Sequence, residues 1–211
     1  MFITLEGPEG SGKSSHMAPL AEALRQAGFD VVVTREPGGT PIGDEIRDTL
    51  LNLKNTAMHP TTEILLFQAS RSQHVYELIL PAIQEGKVVL CDRFADSTMA
   101  YQGYGHQTDL KGLAQIIHFA TGGLQPDLTL LLDVDIEIGL KRRSSDQESW
   151  NRLDAKEKAF HQRVRSGYLE MAHVQPDRWV VVDASQPLEQ VQQTLIQLLL
   201  DRLANRIPPK S

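Results

Sequence analysis

The first stretch of the chain with evident chemistry reads Gly7-Pro8-Glu9-Gly10-Ser11-Gly12-Lys13-Ser14. Glycines at this density let a backbone turn its N–H groups inward around an anion, in conformations that a Cβ resists. The spacing G-x-x-x-x-G-K-[ST] is that of a P-loop. In that motif the lysine reaches the β- and γ-phosphates of a nucleoside triphosphate, and the following hydroxyl ligates Mg²⁺. Gly7, Pro8, Glu9, Gly10, Ser11, Gly12, Lys13 and Ser14 are therefore the candidate nucleotide-binding residues, with Lys13 also a catalytic candidate and Ser14 a metal ligand. A glycine-rich surface turn is the plain alternative. The flanks argue against it: an apolar run over residues 2–5 precedes the loop and a helix-like segment over residues 15–27 follows, so a helix N-terminus adds its positive end at the same point.

Three further groups of residues carry chemistry. Thr34-Arg35-Glu36-Pro37-Gly38-Gly39-Thr40 has the composition of a turn, yet Arg35 and Glu36 carry charges that a turn does not need. Cys91-Asp92-Arg93-Phe94 ends an apolar run; Asp92 there is a candidate for Mg²⁺ or its water shell, and Arg93 for a phosphate. An internal Asp92–Arg93 ion pair is the bland reading. Ser97-Thr98-Met99-Ala100-Tyr101-Gln102-Gly103 adds hydroxyl, phenol and amide groups beyond it. Phe67 and Arg71 lie four apart in a helical segment, so they share a face that can stack a flat base and bind an anion; by periodicity alone, Phe67 is more often core. Residues 141–165 hold eight Lys/Arg against four acids. Within an acidic chain that local excess reads as an element facing anions, with a polar, turn-like stretch at residues 144–149 able to act as a lid.

These residues need a scaffold, and the pattern around them supplies one. Short apolar runs at residues 2–5, 31–34, 88–91, 128–133 and 179–182 show little polar alternation, as strands buried on both faces do. Longer helix-period segments separate them, so the class is α/β with a doubly wound parallel sheet. Ligands in such sheets bind outside the carboxyl ends of the strands, where the P-loop, the Arg35–Thr40 loop and Asp92-Arg93 all fall. Residues 61–83 read as one long helix. In the last helix Leu188, Val191, Leu195, Leu198 and Leu199 mark a packing face, and Gly28 suits the end of the first.

Composition narrows the function. The 211 residues fit one large domain, here taken as a single unit over 1–211, with 41% apolar and 23% charged residues, ordinary for a globular protein. A net charge of −6 argues against a nucleic-acid surface. The single cysteine, Cys91, permits no intrachain disulfide and sits in no zinc-like cluster. No leader or membrane span is expected, which points to the cytoplasm. The absence of an N-K-x-D or T-K-x-D motif counts against a guanine-nucleotide switch, and the compact size against a motor. Small-molecule phosphoryl transfer fits best, since that chemistry asks for clamped cations, Mg²⁺ and exclusion of water.

The ordered set of the P-loop, Arg35-Glu36-Pro37-Gly38-Gly39-Thr40, Phe67 with Arg71, Asp92-Arg93-Phe94, Ala100-Tyr101-Gln102-Gly103, Pro126-Asp127-Leu128-Thr129-Leu130 and Leu132-Asp133-Val134 resembles the thymidylate kinase family over residues 2–199. The resemblance implies a P-loop NTPase fold with a five-stranded parallel sheet, helices on both faces and a helical lid over about residues 141–157. It implies ATP as phosphoryl donor, Mg²⁺, dTMP as acceptor and a homodimer. It implies that Phe67 stacks on thymine and Arg71 bonds its edge. Arg93, with the Arg35 and Pro37 loop, holds the dTMP phosphate; Tyr101 and Glu9 lie by the sugar, with Gln102 close and Thr98 at the base edge. Residues 183–186 are expected near the adenine. Because the loop holds no arginine, the catalytic arginine is expected from the lid, Arg152 first and Arg143 second. The lid departs from more arginine-rich family members at Arg143-Ser144-Ser145-Asp146-Gln147. A kinase of another nucleoside monophosphate and a non-catalytic nucleotide-binding module are the competing readings.

Overall fold

The structure, a computed structural model, describes residues 1–144, 153, 154 and 156–204. In chain order the elements are β1 (Phe2–Glu6), α1 (Lys13–Gln26), β2 (Val31–Arg35), α2 (Pro41–Leu51), α3 (Pro60–His74), a π-helical turn (Val75–Ile79), α4 (Leu80–Gln84), β3 (Val88–Asp92), α5 (Ala95–Thr98), a second π-helical segment (Met99–Gly105) that carries Tyr101 and Gln102, α6 (Leu110–Thr121), β4 (Leu128–Asp133), α7 (Ile136–Ser144), α8 (Lys158–Val174), β5 (Trp179–Asp183) and α9 (Leu188–Ala204). The five strands form one parallel sheet in the order β2-β3-β1-β4-β5.

The strand pattern follows from burial on both faces. Ile3 and Leu5, with Leu128, Leu130 and Leu132, pack on α1 through Met17, Leu20 and Leu24 and on α9 through Val191, Leu195 and Leu199. The alternate residues face the other way. Phe2, Val89 and Cys91 meet Val75, Ile79 and Ala82, while Leu131 and Trp179 meet Phe160, Val164 and Tyr168 of α8. With each buried aliphatic side chain contributing roughly 1.5–3 kcal/mol, a strand apolar at every position is what a two-sided sheet selects.

One local expectation is refined and one corrected. The segment read as one helix over residues 61–83 is helical throughout, with α3 and α4 joined by a π-helical turn, Val75–Ile79. Pro81 has no N–H to continue the i→i−4 ladder, and the register widens just before it: the Leu80 N–H bonds the Val75 carbonyl. Leu188 is also not on the packing face of α9; it is 58% exposed. Val191, Leu195 and Leu199 are buried as the spacing predicts.

A parallel sheet delivers all five carboxyl ends to one edge. β1 and β3 are neighbours with Leu5 opposite Asp92, which sets the P-loop beside Asp92-Arg93. Their outgoing connections leave in opposite directions, to β2 and to β4, so this is the switch point at which such sheets bind ligands. Thr40 then caps α2, its Oγ1 accepting from Gly43 N at 3.1 Å, and turns the Arg35 loop back over the same edge.

Candidate active site

The P-loop closes on its own lysine. Lys13 Nζ donates to the Gly7 and Pro8 carbonyls at 3.0 Å each and to Ser11 Oγ at 3.1 Å. Gly12 caps α1 at φ 88°, a left-handed conformation that glycine adopts freely. Gly10 meets a second limit: a Cβ there would come within 2.0 Å of the Gly139 carbonyl oxygen, so α7 rests directly on the loop. Burial, together with the charge of Arg93, lowers the Lys13 ammonium to about 8 against the pull of Glu9 and Asp92. Ser14 Oγ donates to Asp92 Oδ2 at 2.7 Å, while Asp92 Oδ1 is buried without a hydrogen-bond partner.

Arg93 stands at the centre. It holds a left-handed φ of 69°, unusual for a residue with a side chain and a mark of a functional position. The expected Asp92–Arg93 alternative does not form; Arg93 pairs instead with Glu9, Nη2 to Oε1 at 2.9 Å, and also donates to Tyr101 Oη at 3.1 Å. Tyr101 Oη in turn donates to Glu9 Oε1 at 2.8 Å. Burial alone would raise the Glu9 carboxyl, but Arg93, Lys13 and the Tyr101 hydroxyl hold it down at about 2.

The far end is a buried hydrogen-bond network around Arg71. Its Nε donates to Glu36 Oε2 at 2.7 Å, Nη1 to Gln68 Oε1 at 3.0 Å and Thr98 Oγ1 at 2.9 Å, and Nη2 to the Phe94 carbonyl at 3.0 Å. Four of the five guanidinium N–H groups are thus engaged, and one on Nη2 is left for a ligand. Glu36 Oε1 also meets His74 Nδ1 at 3.0 Å, and His74 Nε2 meets Thr34 Oγ1 at 2.7 Å. Phe67 packs with Leu50 and Leu153. Gln102 Nε2 donates to Glu63 Oε1 at 2.8 Å.

One cavity of about 910 Å³ joins these parts. Glu9 to Ser14, Arg35, Pro37, Phe67, Arg71, Asp92, Arg93, Thr98, Tyr101, Gln102 and Arg143 all line it. Gly7 and Pro8 lie behind it, presenting carbonyls to Lys13 and Arg93. Residues 184–188 line the end opposite Phe67, and Arg142 Nη1 donates to the Ala184 carbonyl there at 2.8 Å. Arg143 forms a two-point pair with Asp154, at 3.0 and 2.8 Å. Arg152 lies outside the described residues. Part of the charge excess at residues 141–165 is structural: Arg165 pairs with Asp133, Lys158 with Glu137, and Arg163 donates to the Gly105 carbonyl.

Sequence reasoning missed Arg47. It lines the cavity on α2, with Nη1 donating to the Pro37 carbonyl at 2.7 Å, and burial and the charge of Arg35 weaken its hold on its proton. Its signal was the helix start at Thr40-Pro41, which puts Gly43, Arg47 and Leu50 on one face. The roles of Glu36 and His74 as partners of Arg71 had no local signal, because the contacts join three elements.

The order of strands, the P-loop lysine and a cavity shared by that loop, Phe67 and Arg71 define a P-loop kinase of a small acceptor. A family model described as thymidylate kinase matches residues 5–195. The chain is 53% identical to a thymidylate kinase of Thermomicrobium roseum over 190 residues, covering 90% of each chain, and 50% identical to one of Herpetosiphon aurantiacus, covering 93% of each. A crystal structure of thymidylate kinase from Ehrlichia chaffeensis superposes with a TM-score of 0.76 at 34% identity, over 94% of this chain and 98% of that one. The chain belongs to the thymidylate kinase family. Its reaction transfers the γ-phosphoryl group of ATP to dTMP, giving ADP and dTDP, a step of nucleotide biosynthesis.

Proposed function

We propose a division of labour along the cavity. The P-loop and residues 184–188 hold ATP, and Phe67, Arg71, Thr98 and Gln102 hold thymine. Arg93, Arg35 and Arg47 hold the acceptor phosphate, with Pro37 shaping their loop. The single observation that carries this reading is the continuity of the cavity, with the Glu9–Arg93–Tyr101 cluster between its two ends. An oxygen of the dTMP phosphate attacks the γ-phosphorus, that P–O bond forms, and the bond from the γ-phosphorus to the bridging oxygen of ADP breaks. The acceptor oxygen is already anionic, so no general base is required. Lys13 and Arg93 balance the charge on the moving group, joined by a lid arginine, Arg152 or Arg143. Glu9 and Tyr101 orient Arg93 and bound the sugar pocket.

Ser14 and Asp92 would hold Mg²⁺. The orphaned Asp92 Oδ1 beside the Ser14 hydroxyl supports this assignment, since Mg²⁺ takes oxygen ligands and few of them from protein. When bound, the ion would supply positive charge against the phosphate oxygens. The test of the whole reading is a coupled ADP-release assay over a panel of nucleoside monophosphates. dTMP is expected to give the highest kcat/KM; no rate with dTMP above background would refute it.

We further propose a single kinase domain that dimerises through α3 and α6. Phe119 of α6 at 87% exposure and Leu65 of α3 at 54%, with Tyr76 at 56% in the π-helical turn that follows α3, support an apolar contact face. Phe119→Glu is expected to convert a dimer to monomer in sedimentation. A cytoplasmic location agrees with the free, buried Cys91 thiol and with ATP as donor. Among the described residues no helix is long and apolar enough to cross a membrane.

A further inference from the structure

Glu6, at the end of β1, is fully buried and takes no part in the scheme above. Its Oε1 accepts the Phe94 backbone N–H at 2.7 Å. Its Oε2 accepts two hydroxyl protons, from Ser97 at 2.6 Å and from Tyr168 at 2.8 Å. Those same hydroxyls stand against Arg93: Nη1 donates to Ser97 Oγ and to Tyr168 Oη, each at 3.2 Å. Ser97 Oγ and Tyr168 Oη are also 2.8 Å apart; each has one proton, and when the carboxylate draws both to itself only lone pairs face the guanidinium.

We infer that Glu6 is a positioning residue for the acceptor-phosphate cation, setting Arg93 through the Ser97 and Tyr168 hydroxyls and through the Phe94 backbone. The carboxylate acts at both ends of Arg93. Oε1 pins the peptide that follows its left-handed backbone, and Oε2 fixes which way the hydroxyls beneath its side chain point. Both jobs require an acceptor, and only a carboxylate offers two. A glutamine in its place must aim its NH₂ either at the Phe94 N–H or at the hydroxyls. The first leaves two donors facing each other, and the second turns hydroxyl protons toward Nη1. Burial and the neighbouring Asp96 charge push the carboxyl up to about 7, while Arg93, the Ser97 hydroxyl and the Phe94 N–H favour its ionised form.

The inference rests on the reading of Arg93 as the cation that holds the dTMP phosphate, and the test separates the two. Steady-state KM for dTMP and for ATP, with thermal unfolding, would be measured for Glu6→Gln, Tyr168→Phe and Arg93→Lys. Glu6→Gln is expected to raise the dTMP KM about tenfold, and Tyr168→Phe several-fold, with the ATP KM of each within about twofold of wild type. An unchanged dTMP KM in both, or KM values for dTMP and ATP that rise together with a fallen Tm, would overturn the positioning role and leave Glu6 a structural group. If Arg93→Lys itself leaves the dTMP KM unchanged, the assignment of Arg93 fails and the inference with it. If Arg93→Lys raises it while the other two do not, the inference alone fails. Tyr168→Phe keeps the ring packing of α8 and reports on the relay even where Glu6→Gln folds poorly.

Discussion

Raising the pH is expected to weaken ATP binding through Lys13. Burial and the charge of Arg93 hold this ammonium at about 8, against an ordinary 10.5. Triphosphate oxygens at the loop restore favourable charge, so the bound state returns the lysine toward its ordinary value. The gap amounts to roughly 3 kcal/mol, taking 1.36 kcal/mol for each pH unit. The sign follows from proton counting. Below pH 8 the lysine is charged in both states and affinity is flat. Above pH 8 the free enzyme has lost the proton that the complex retains, so binding takes one up and weakens as pH rises. With a value of about 8, the Kd is expected to be roughly tenfold higher at pH 9 than at pH 7, with about half a proton taken up at pH 8. Titration calorimetry with a non-hydrolysable ATP analogue, run in two buffers of different ionisation enthalpy, measures both quantities. Glu9, held at about 2, stays ionised throughout, and Tyr101, pushed well up, stays neutral; ionisation of Glu6, at about 7, is subtracted by the arginine control that follows. Lys13→Arg supplies the control, because a guanidinium remains charged across this range. A Kd that changes less than about twofold between pH 7 and 9, or an equal loss in Lys13→Arg, would refute the reasoning.

Four further outcomes are expected. Phe67→Ala should raise the dTMP KM by about tenfold or more, from the roughly 1–3 kcal/mol of base stacking, with the ATP KM little changed; an unmoved dTMP KM removes Phe67 from the base pocket. Asp92→Asn should raise the Mg²⁺ concentration at half-maximal rate, read from a metal titration at saturating substrates; an identical curve removes Asp92 from the metal site. Arg152→Ala should lower kcat by about 10³ or more if its guanidinium meets the transition state, whereas a loss below about tenfold transfers the role to Arg143. Glu36→Gln breaks the buried pair with Arg71, whose side chains are each 2% exposed, and should cost about 3–5 kcal/mol in urea unfolding; a loss under about 1 kcal/mol would show that Arg71 is held by Gln68, Thr98 and Phe94 alone.

What could be read before folding, and what could not, divides by how each part is built. The strands were legible because burial on both faces leaves uninterrupted apolar runs, and the loop from Gly7 to Ser14 because its parts are contiguous and its glycines are required by the backbone. Asp92-Arg93 was legible as a pair but not as a geometry. The partner of Arg93 is Glu9, 84 positions away, and no local pattern encodes that contact. The same holds for Arg71. Its partners Glu36 and Thr98 come from the end of β2 and from α5, 35 and 27 positions away, brought together only by the order of strands in the sheet. Arg47 was hidden differently, as one arginine on an ordinary amphipathic helix whose relation to the site is set by the turn at Thr40. The widened turn at Val75–Ile79 was hidden because the apolar period runs straight through it, while the hydrogen-bond register that Pro81 disturbs leaves no mark on hydrophobicity. Phosphate chemistry can be carried by one segment, since a loop and a helix end suffice to bind an anion. Base recognition, in the role proposed for Arg71, cannot: a guanidinium left with one free donor must have its other four satisfied, and those partners have to converge from separate elements of a finished fold.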